Sequence, residues 1–178
     1  MICKMISLDT STTASGWAYW ENATLTEYGE LLHNAKKEKD IELRLNAMSR
    51  DLIELLEKYQ PDIIVIELTA APKGAQTQRS LTELIGVVRG WAAFHDTDFV
   101  RVRPSHWRKL AKQYCEREFH GEITLPTERS QLKCWSMDVV KKQYGIQVDD
   151  NISDAILIGI SRIEEINQYL KKESLKMR

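Results

Sequence analysis

The sequence lacks the features that define several large classes of protein. Its 178 residues include no apolar run close to the roughly 20 residues that a membrane-spanning helix needs. Its three cysteines show neither CxxC nor Cys/His spacing, which argues against a zinc site or a disulfide framework. The GxSxG, P-loop and GxGxxG motifs are missing too, so serine hydrolases, P-loop NTPases and dinucleotide-binding enzymes have no support.

The first ten residues also lack the pattern of a secretory signal. They contain no long apolar segment and include a carboxylate at Asp9. We therefore expect a cytoplasmic protein without membrane association, in which Cys3, Cys115 and Cys134 are free thiols.

The composition is that of an ordinary globular protein, with 43% hydrophobic and 29% charged residues. At this length we expect a single domain over residues 1–170 and a frayed tail at 171–178. The net charge of −1 is unevenly distributed: residues 1–70 carry 7 Lys/Arg against 12 Asp/Glu, whereas residues 71–133 carry 11 against 7. The middle of the chain is therefore the predicted basic surface.

Hydrophobic periodicity predicts an α/β protein. Three strands come first, with a tight turn at Asn22-Ala23, and later strands alternate with helices. The predicted strands cover residues 2–9, 16–20, 24–32, 63–66 and 99–102, and the helices 41–59, 76–93, 127–144 and 152–170, with 103–126 irregular. This order favours an RNase-H-like mixed sheet: the first three strands antiparallel, the first, fourth and fifth parallel, and helices on both faces.

Two of the apolar strands end in a carboxylate, Asp9 on the first and Glu67 on the fourth. A carboxylate next to a hydrophobic run must reach solvent, a partner or a metal, because burying it unpaired is costly. If these strands are parallel neighbours, both acids emerge at the same edge of the sheet, where ligands of open α/β sheets bind. Their mutual repulsion would favour a divalent cation between them.

The start of the last helix adds Asp150, Asn151 and Asp154. Spacings of three and four place their side chains on one helix face. Asp150 or Asn151 also suits the N-cap and needs no further role there. Asp154 lies beside the apolar stripe of the helix, and we expect it to be functional.

Acidic side chains without a histidine or cysteine cluster favour hard cations, so we expect Mg²⁺, with Mn²⁺ as a substitute. Two such ions per site would serve phosphodiester hydrolysis. The catalytic and metal-binding residues predicted from the sequence are therefore Asp9, Glu67, Asp150 and Asp154, with Asn151 as a further candidate ligand.

The sequence resembles the RuvC family of Holliday-junction resolvases, especially its phage-encoded branch, over about residues 4–165. The similar blocks are residues 6–11 with Gly16 and Trp17, residues 43–45, 59–67, 128–132 and 153–155. Each block alone is weakly specific, whereas their order and spacing together are fairly specific. The stretch 128–132 is similar to the one that carries a lysine of the catalytic site in the family.

The resemblance implies a homodimeric, Mg²⁺-dependent endonuclease that nicks Holliday junctions symmetrically in a bacterial or phage-infected cell. It assigns Asp9, Glu67 and Asp154 to the metal site. The fourth acid of the family usually lies three residues before the last, which is Asn151 here, while Asp150 lies one residue further away.

The resemblance also places Arg108 and Arg129 near the scissile phosphate. With the basic middle of the chain, this gives a predicted DNA-binding set of Lys73, Arg79, Arg103, Arg108, Lys109 and Arg129. Residues 68–75 lack the aromatic wedge that some members carry there, so we expect other branched DNA to be substrates as well. Trp107 and Trp135 are candidate stacking residues, with core packing favoured for Trp135.

Two alternatives stay open from the sequence. An RNase-H-like module could bind branched DNA without cutting it, because Asn151 occupies the position of the family's fourth acid. Residues 8–13 also resemble the phosphate loop of actin-like nucleotide-binding folds, although the chain is short for two such lobes and that fold does not explain Glu67 together with Asp154.

Overall fold

The computed structural model describes residues 3–68 and 74–176. Within them the elements are β1 (Lys4–Asp9), β2 (Ala14–Glu21), β3 (Thr24–Leu32), α1 (Ile41–Tyr59), β4 (Ile63–Glu67), α2 (Ala75–Phe94), β5 (Asp98–Val102), α3 (Pro104–Glu118), a 3₁₀ turn (Arg129–Gln131), α4 (Leu132–Tyr144) and α5 (Asp150–Lys176). The strands form one sheet in the order β3-β2-β1-β4-β5. β1, β4 and β5 are parallel and β1, β2 and β3 antiparallel, as predicted.

The central strands β1 and β4 are apolar on both faces because helices cover both. Every residue from Met5 to Leu8 and from Ile64 to Ile66 is buried. β2 and β3 are joined at Asn22 and Ala23, whose φ angles of 49° and 67° give the tight turn that the sequence predicted.

The helices are divided between the two faces of the sheet. α1 and α2 pack on one face, where Leu52, Leu56 and Val88 join the buried core. α3, α4 and α5 pack on the other, in a core that contains Trp20, Trp107 and Ile156. This second face carries the candidate site, and we call it the α5 face.

One prediction was wrong: residues 103–126 are not all irregular, because α3 covers Pro104–Glu118. Proline at the first helical position suits a helix start, and Trp107, Leu110, Ala111 and Cys115 form a buried stripe at spacings of three and four. The many charged residues between them hide this stripe in the sequence.

Two helix boundaries also differ from the prediction. α5 continues to Lys176, so most of the segment expected to be a frayed tail is helical. α4 begins at Leu132 after a 3₁₀ turn rather than at Thr127.

No helix within the described ranges is long and apolar enough to cross a membrane. Cys3, Cys115 and Cys134 are free thiols, as expected, and burial raises the pKa of Cys115 to about 12.

Candidate active site

Asp9 and Glu67 are neighbours at one end of the sheet. They are the last residues of β1 and β4, and the parallel register aligns Leu8 with Ile66 immediately before them. Leu8 and Ile66 belong to the core under α1 and α2, so the two acids, one residue on, face the opposite side of the sheet. The structure thus brings together the two acids that end these strands, on the α5 face.

The first turn of α5 reaches these acids because β2 carries a glycine beside Asp9. Gly16 pairs with Asp9, and a Cβ on Gly16 would lie 2.0 Å from the carbonyl oxygen of Asn151. A larger residue would therefore hold α5 away from the sheet. The helix is capped by Asp149, whose Oδ1 accepts a backbone N–H at 2.9 Å, and not by Asp150 or Asn151 as the sequence suggested.

Asp154 lies one turn into α5 and is electrostatically coupled to the strand acids. Burial raises the pKa of Asp9 well above its usual value, and the charges of Glu67 and then Asp154 raise it further. Burial likewise raises the pKa of Glu67 and of Asp154. Three carboxylates that hinder one another's ionisation form a site that positive charge would stabilise.

The indole of Trp107 holds Glu67. Its Nε1 donates a hydrogen bond of 2.5 Å to Oε2 of Glu67, which opposes the rise in the pKa of that carboxyl. Trp107 is completely buried, so the prediction that it could stack on DNA bases was wrong. Trp135 is 4% exposed and belongs to the core, as the sequence favoured.

Arg108 is the cation that all three acids share. Its charge lowers the pKa of Asp9, Glu67 and Asp154, in opposition to the effect of burial. The guanidinium lies 4.6 Å from the ring centroid of Trp107, which anchors it over the site. Among the predicted DNA-binding residues whose side chains the structure describes, Arg108 is the one whose charge acts on the acids.

Lys133 is a site residue that the sequence reasoning missed. It lies in the first turn of α4, its Nζ contacts Asp150, and its charge also acts on Asp154 and Asp9. The available signal was its position, one residue after the stretch 128–132 that resembles the lysine-bearing segment of the family. Lys133 and Arg108 supply two positive charges beside the acids.

The two candidates for the fourth acidic position both have partners. Asp150 contacts Lys133, and its charge raises the pKa of Asp9 and Asp154, so it lies near the site. Asn151 donates from Nδ2 to Oε1 of Glu30 at 2.6 Å. The direct metal role predicted for Asp150 stays a prediction.

The remaining predicted DNA-binding residues lie on the surface or outside the described part. Arg79, Arg103 and Lys109 are exposed, on α2, before α3 and on α3 respectively. Lys73 lies outside the described residues, and so does the side chain of Arg129.

The donor set suits a hard divalent cation, although the side chains do not form a finished cage. Among the described residues, no three histidine, cysteine, aspartate or glutamate side chains stand in a geometry that could hold a metal as they are. The donors of Asp9, Glu67 and Asp154 are nevertheless all carboxylate oxygens, the ligands that Mg²⁺ and Mn²⁺ prefer. Because these acids raise one another's pKa, the chemistry of the set fits a cation that would draw the side chains together.

The fold has counterparts among solved structures. No family model matches the sequence, and no curated protein matches it. RuvC of T. thermophilus in complex with a Holliday junction substrate gives a TM-score of 0.66 at 9% identity, covering 93% of this chain and 96% of that chain. A further structure of Thermus thermophilus RuvC gives 0.64 at 13% identity, with 93% and 96% covered.

The yeast mitochondrial Holliday junction resolvase Ydc2 gives a TM-score of 0.57 at 14% identity, covering 91% of this chain and 79% of that chain. At such low identities the likeness concerns the fold. The predicted RNase-H-like fold is confirmed, and it is the fold of the RuvC resolvases.

Proposed function

We propose that this protein is a divalent-metal-dependent endonuclease that hydrolyses phosphodiester bonds in Holliday junctions and other branched DNA. The observation that supports this most is the arrangement of Asp9 and Glu67 on adjacent strand ends, coupled to Asp154 and faced by Arg108. Structures of the same fold include a RuvC bound to a Holliday junction substrate, which supports the choice of DNA.

Asp9, Glu67 and Asp154 would hold Mg²⁺, or Mn²⁺ in its place, with two ions per site. When bound, such ions supply a Lewis acid for the phosphate and a water of lowered pKa. The side chains of the protein orient the carboxylates and supply positive charge. Trp107 fixes the orientation of Glu67, and Arg108 and Lys133 attract the phosphate and offset its negative charge.

The wider DNA contact would come from the other cations of the predicted set. Arg103 immediately precedes α3, Lys109 follows Arg108 on that helix, and Arg79 lies on α2, and all three are exposed. Lys73 and Arg129 complete the predicted set. Contacts of this type bind the phosphate backbone and make affinity depend on salt without reading sequence.

Symmetric nicking of a four-way junction needs two active sites related by a two-fold axis, so we propose a homodimer. The outer surface of α2 offers a candidate interface. Gly86 and Gly90 have open space where a Cβ would lie, and Phe94, one turn on, is 86% exposed. The proposed homodimer is tested separately by measuring the mass in solution of the unsubstituted protein and of Phe94→Glu.

The decisive experiment is cleavage of a four-way junction in Mg²⁺ and in Mn²⁺, with a linear duplex as the control and Ca²⁺ for binding without turnover. Asp9→Asn, Glu67→Gln and Asp154→Asn should each abolish cutting while leaving junction binding intact. An active Asp154→Asn protein would remove that residue from the site.

A second candidate is a module that binds branched DNA without cutting it, because Asn151 replaces an acid at the fourth position. Junction binding in Ca²⁺ with no product in either Mg²⁺ or Mn²⁺ would favour this function over the endonuclease.

A further inference from the structure

Four residues on four neighbouring strands form one row at the end of the sheet. Asp9 pairs with Gly16, Gly16 pairs with Glu30, and Glu67 follows the register on the other side of Asp9. Cross-strand partners project to the same face, so Glu30 stands on the α5 face two strands away from Asp9. The row therefore contains a third acid, Glu30, that the sequence reasoning did not consider.

Asn151 lies over the middle of this row. Its carbonyl oxygen is 2.0 Å from where a Cβ on Gly16 would lie, so the residue sits directly on β2, between the strand of Asp9 and the strand of Glu30. The missing side chain at Gly16 is the space that the first turn of α5 occupies.

The hydrogen bond between Asn151 and Glu30 fixes which end of the amide is engaged. Nδ2 of Asn151 donates to Oε1 of Glu30 at 2.6 Å. The carboxylate oxygen accepts from the amide nitrogen, and Oδ1 is left for another partner. Burial and the neighbouring Asp149 raise the pKa of Glu30, and the hydrogen bond from Asn151 opposes that rise. No donor in residues 3–68 or 74–176 bonds to that oxygen.

We propose that Glu30 is a positioning residue for Asn151, and that this pair replaces the fourth acid of the metal site. Asn151 presents a neutral amide oxygen as the ligand, and Glu30 supplies negative charge behind it through the hydrogen bond to Nδ2. A carboxylate behind a ligand orients it and strengthens its donor atom. This inference rests on the proposed function, because it concerns the same metal site.

The other candidate ligand, Asp150, has a partner of opposite charge. Its carboxylate contacts the ammonium of Lys133 on α4, so its charge is already matched within the protein. Asn151 faces a negative partner, which makes its amide a stronger oxygen donor. We therefore assign the fourth ligand position to Asn151, with Asp150 paired to Lys133 beside it.

The test is a titration of Mn²⁺ into the purified protein without DNA, followed by the EPR signal of the free ion. We expect Glu30→Gln and Asn151→Ala each to weaken Mn²⁺ binding by roughly tenfold or more. In Glu30→Gln the new amide oxygen can still accept from Asn151, so the thermal midpoint of this variant in EDTA should stay close to that of the unsubstituted protein. Glu27→Gln is the matched control, because Glu27 lies on the same strand but contacts Tyr59 of α1 on the other face.

The double variant Glu30→Gln/Asn151→Asp exchanges the acid and the amide. It places the charge directly at the ligand position and should bind Mn²⁺ at least as tightly as the unsubstituted protein. Asn151→Asp alone opposes two carboxylates at hydrogen-bond distance, and it should be less stable in EDTA than the double variant.

Unchanged Mn²⁺ affinity in Glu30→Gln or in Asn151→Ala would overturn the inference, even if the protein cuts junctions. Conversely, Mn²⁺ binding that Asp9→Asn abolishes and Glu30→Gln weakens would support it, even if no junction is cut and the proposed endonuclease fails. Absence of any Mn²⁺ binding by the unsubstituted protein would overturn the inference, whereas junction cleavage alone decides on the endonuclease.

Discussion

Nε1 of Trp107 donates to Oε2 of Glu67 at 2.5 Å, from an indole that solvent does not reach. The contact joins the first turn of α3 to the end of β4, so a helix that the sequence did not predict orients one of the two strand acids. A hydrogen bond to the ionised carboxyl favours ionisation and opposes the rise in pKa that burial causes.

Trp107→Phe removes this hydrogen bond and should raise the pKa of Glu67. Protons then compete with the metal at higher pH, so the acid limb of the pH–rate profile for junction cleavage should move toward alkaline pH. At neutral pH we expect activity or Mn²⁺ affinity to fall by roughly tenfold to a hundredfold.

Trp135→Phe is the control for this prediction, since Trp135 is also buried and its Nε1 has no hydrogen-bond partner within the described residues. It removes the same volume from the core without touching Glu67. Equal pH profiles for the two variants would show that the indole of Trp107 only fills space.

The acids themselves should make the metal-free protein less stable. The folded-state pKa of Asp9 is raised, so its ionised form carries a free-energy cost at neutral pH. The cost lessens as the pH falls through that raised value, and it is absent below the pKa of the unfolded chain. Asp9→Asn should therefore raise the thermal midpoint in EDTA at pH 7, by roughly 2–4 °C for each kcal/mol removed.

In Mg²⁺ the unsubstituted protein should become more stable than Asp9→Asn. Binding to the folded state alone adds about 2.7 kcal/mol when the free ion is at 100 times its dissociation constant. The unsubstituted protein should gain that stability and Asp9→Asn should not, as scanning calorimetry with and without Mg²⁺ can measure. An equal gain in both proteins would mean that the ion binds elsewhere.

Lys133→Ala should slow cleavage more than it weakens junction binding. Lys133 contacts Asp150 and its charge acts on Asp9 and Asp154, but its side chain is 70% exposed, so its ammonium can contact a phosphate while it stays paired with Asp150. If it contacts one phosphate, the slope of log affinity against log salt in Ca²⁺ should become shallower by about 0.9. Lys142→Ala is the control, because Lys142 lies on the same helix and pairs with Glu122, away from the acids.

The sheet was predictable because its signals are local. Apolar runs that end in Asp9 and Glu67, and a turn at Asn22-Ala23, place the strands almost residue by residue, and the strand order then fixes the pairing. α3 was missed because its buried stripe is diluted by charged residues in between. The phage-type branch and the homodimer rest on the resemblance and stay predictions.

The site was only partly predictable, for a physical reason. The acids could be found because each interrupts or follows an apolar pattern, whereas Glu30 and Lys133 sit in ordinary polar surroundings in the sequence. Their importance arises from contacts across the fold: Glu30 bonds Asn151, which is 121 residues away. Such pairings depend on how α5 lies on the sheet, and no local pattern encodes that.

Gly16 sets that placement, and its substitution gives the sharpest test of the arrangement. In Gly16→Ala the added Cβ would lie 2.0 Å from the backbone oxygen of Asn151, which cannot rotate away. The first turn of α5 must then lift off β2, so we expect a loss of roughly 1–3 kcal/mol in the free energy of unfolding and a large loss of Mn²⁺ affinity. A Gly16→Ala protein as stable and as active as the unsubstituted one would show that α5 is not seated on β2 in this way.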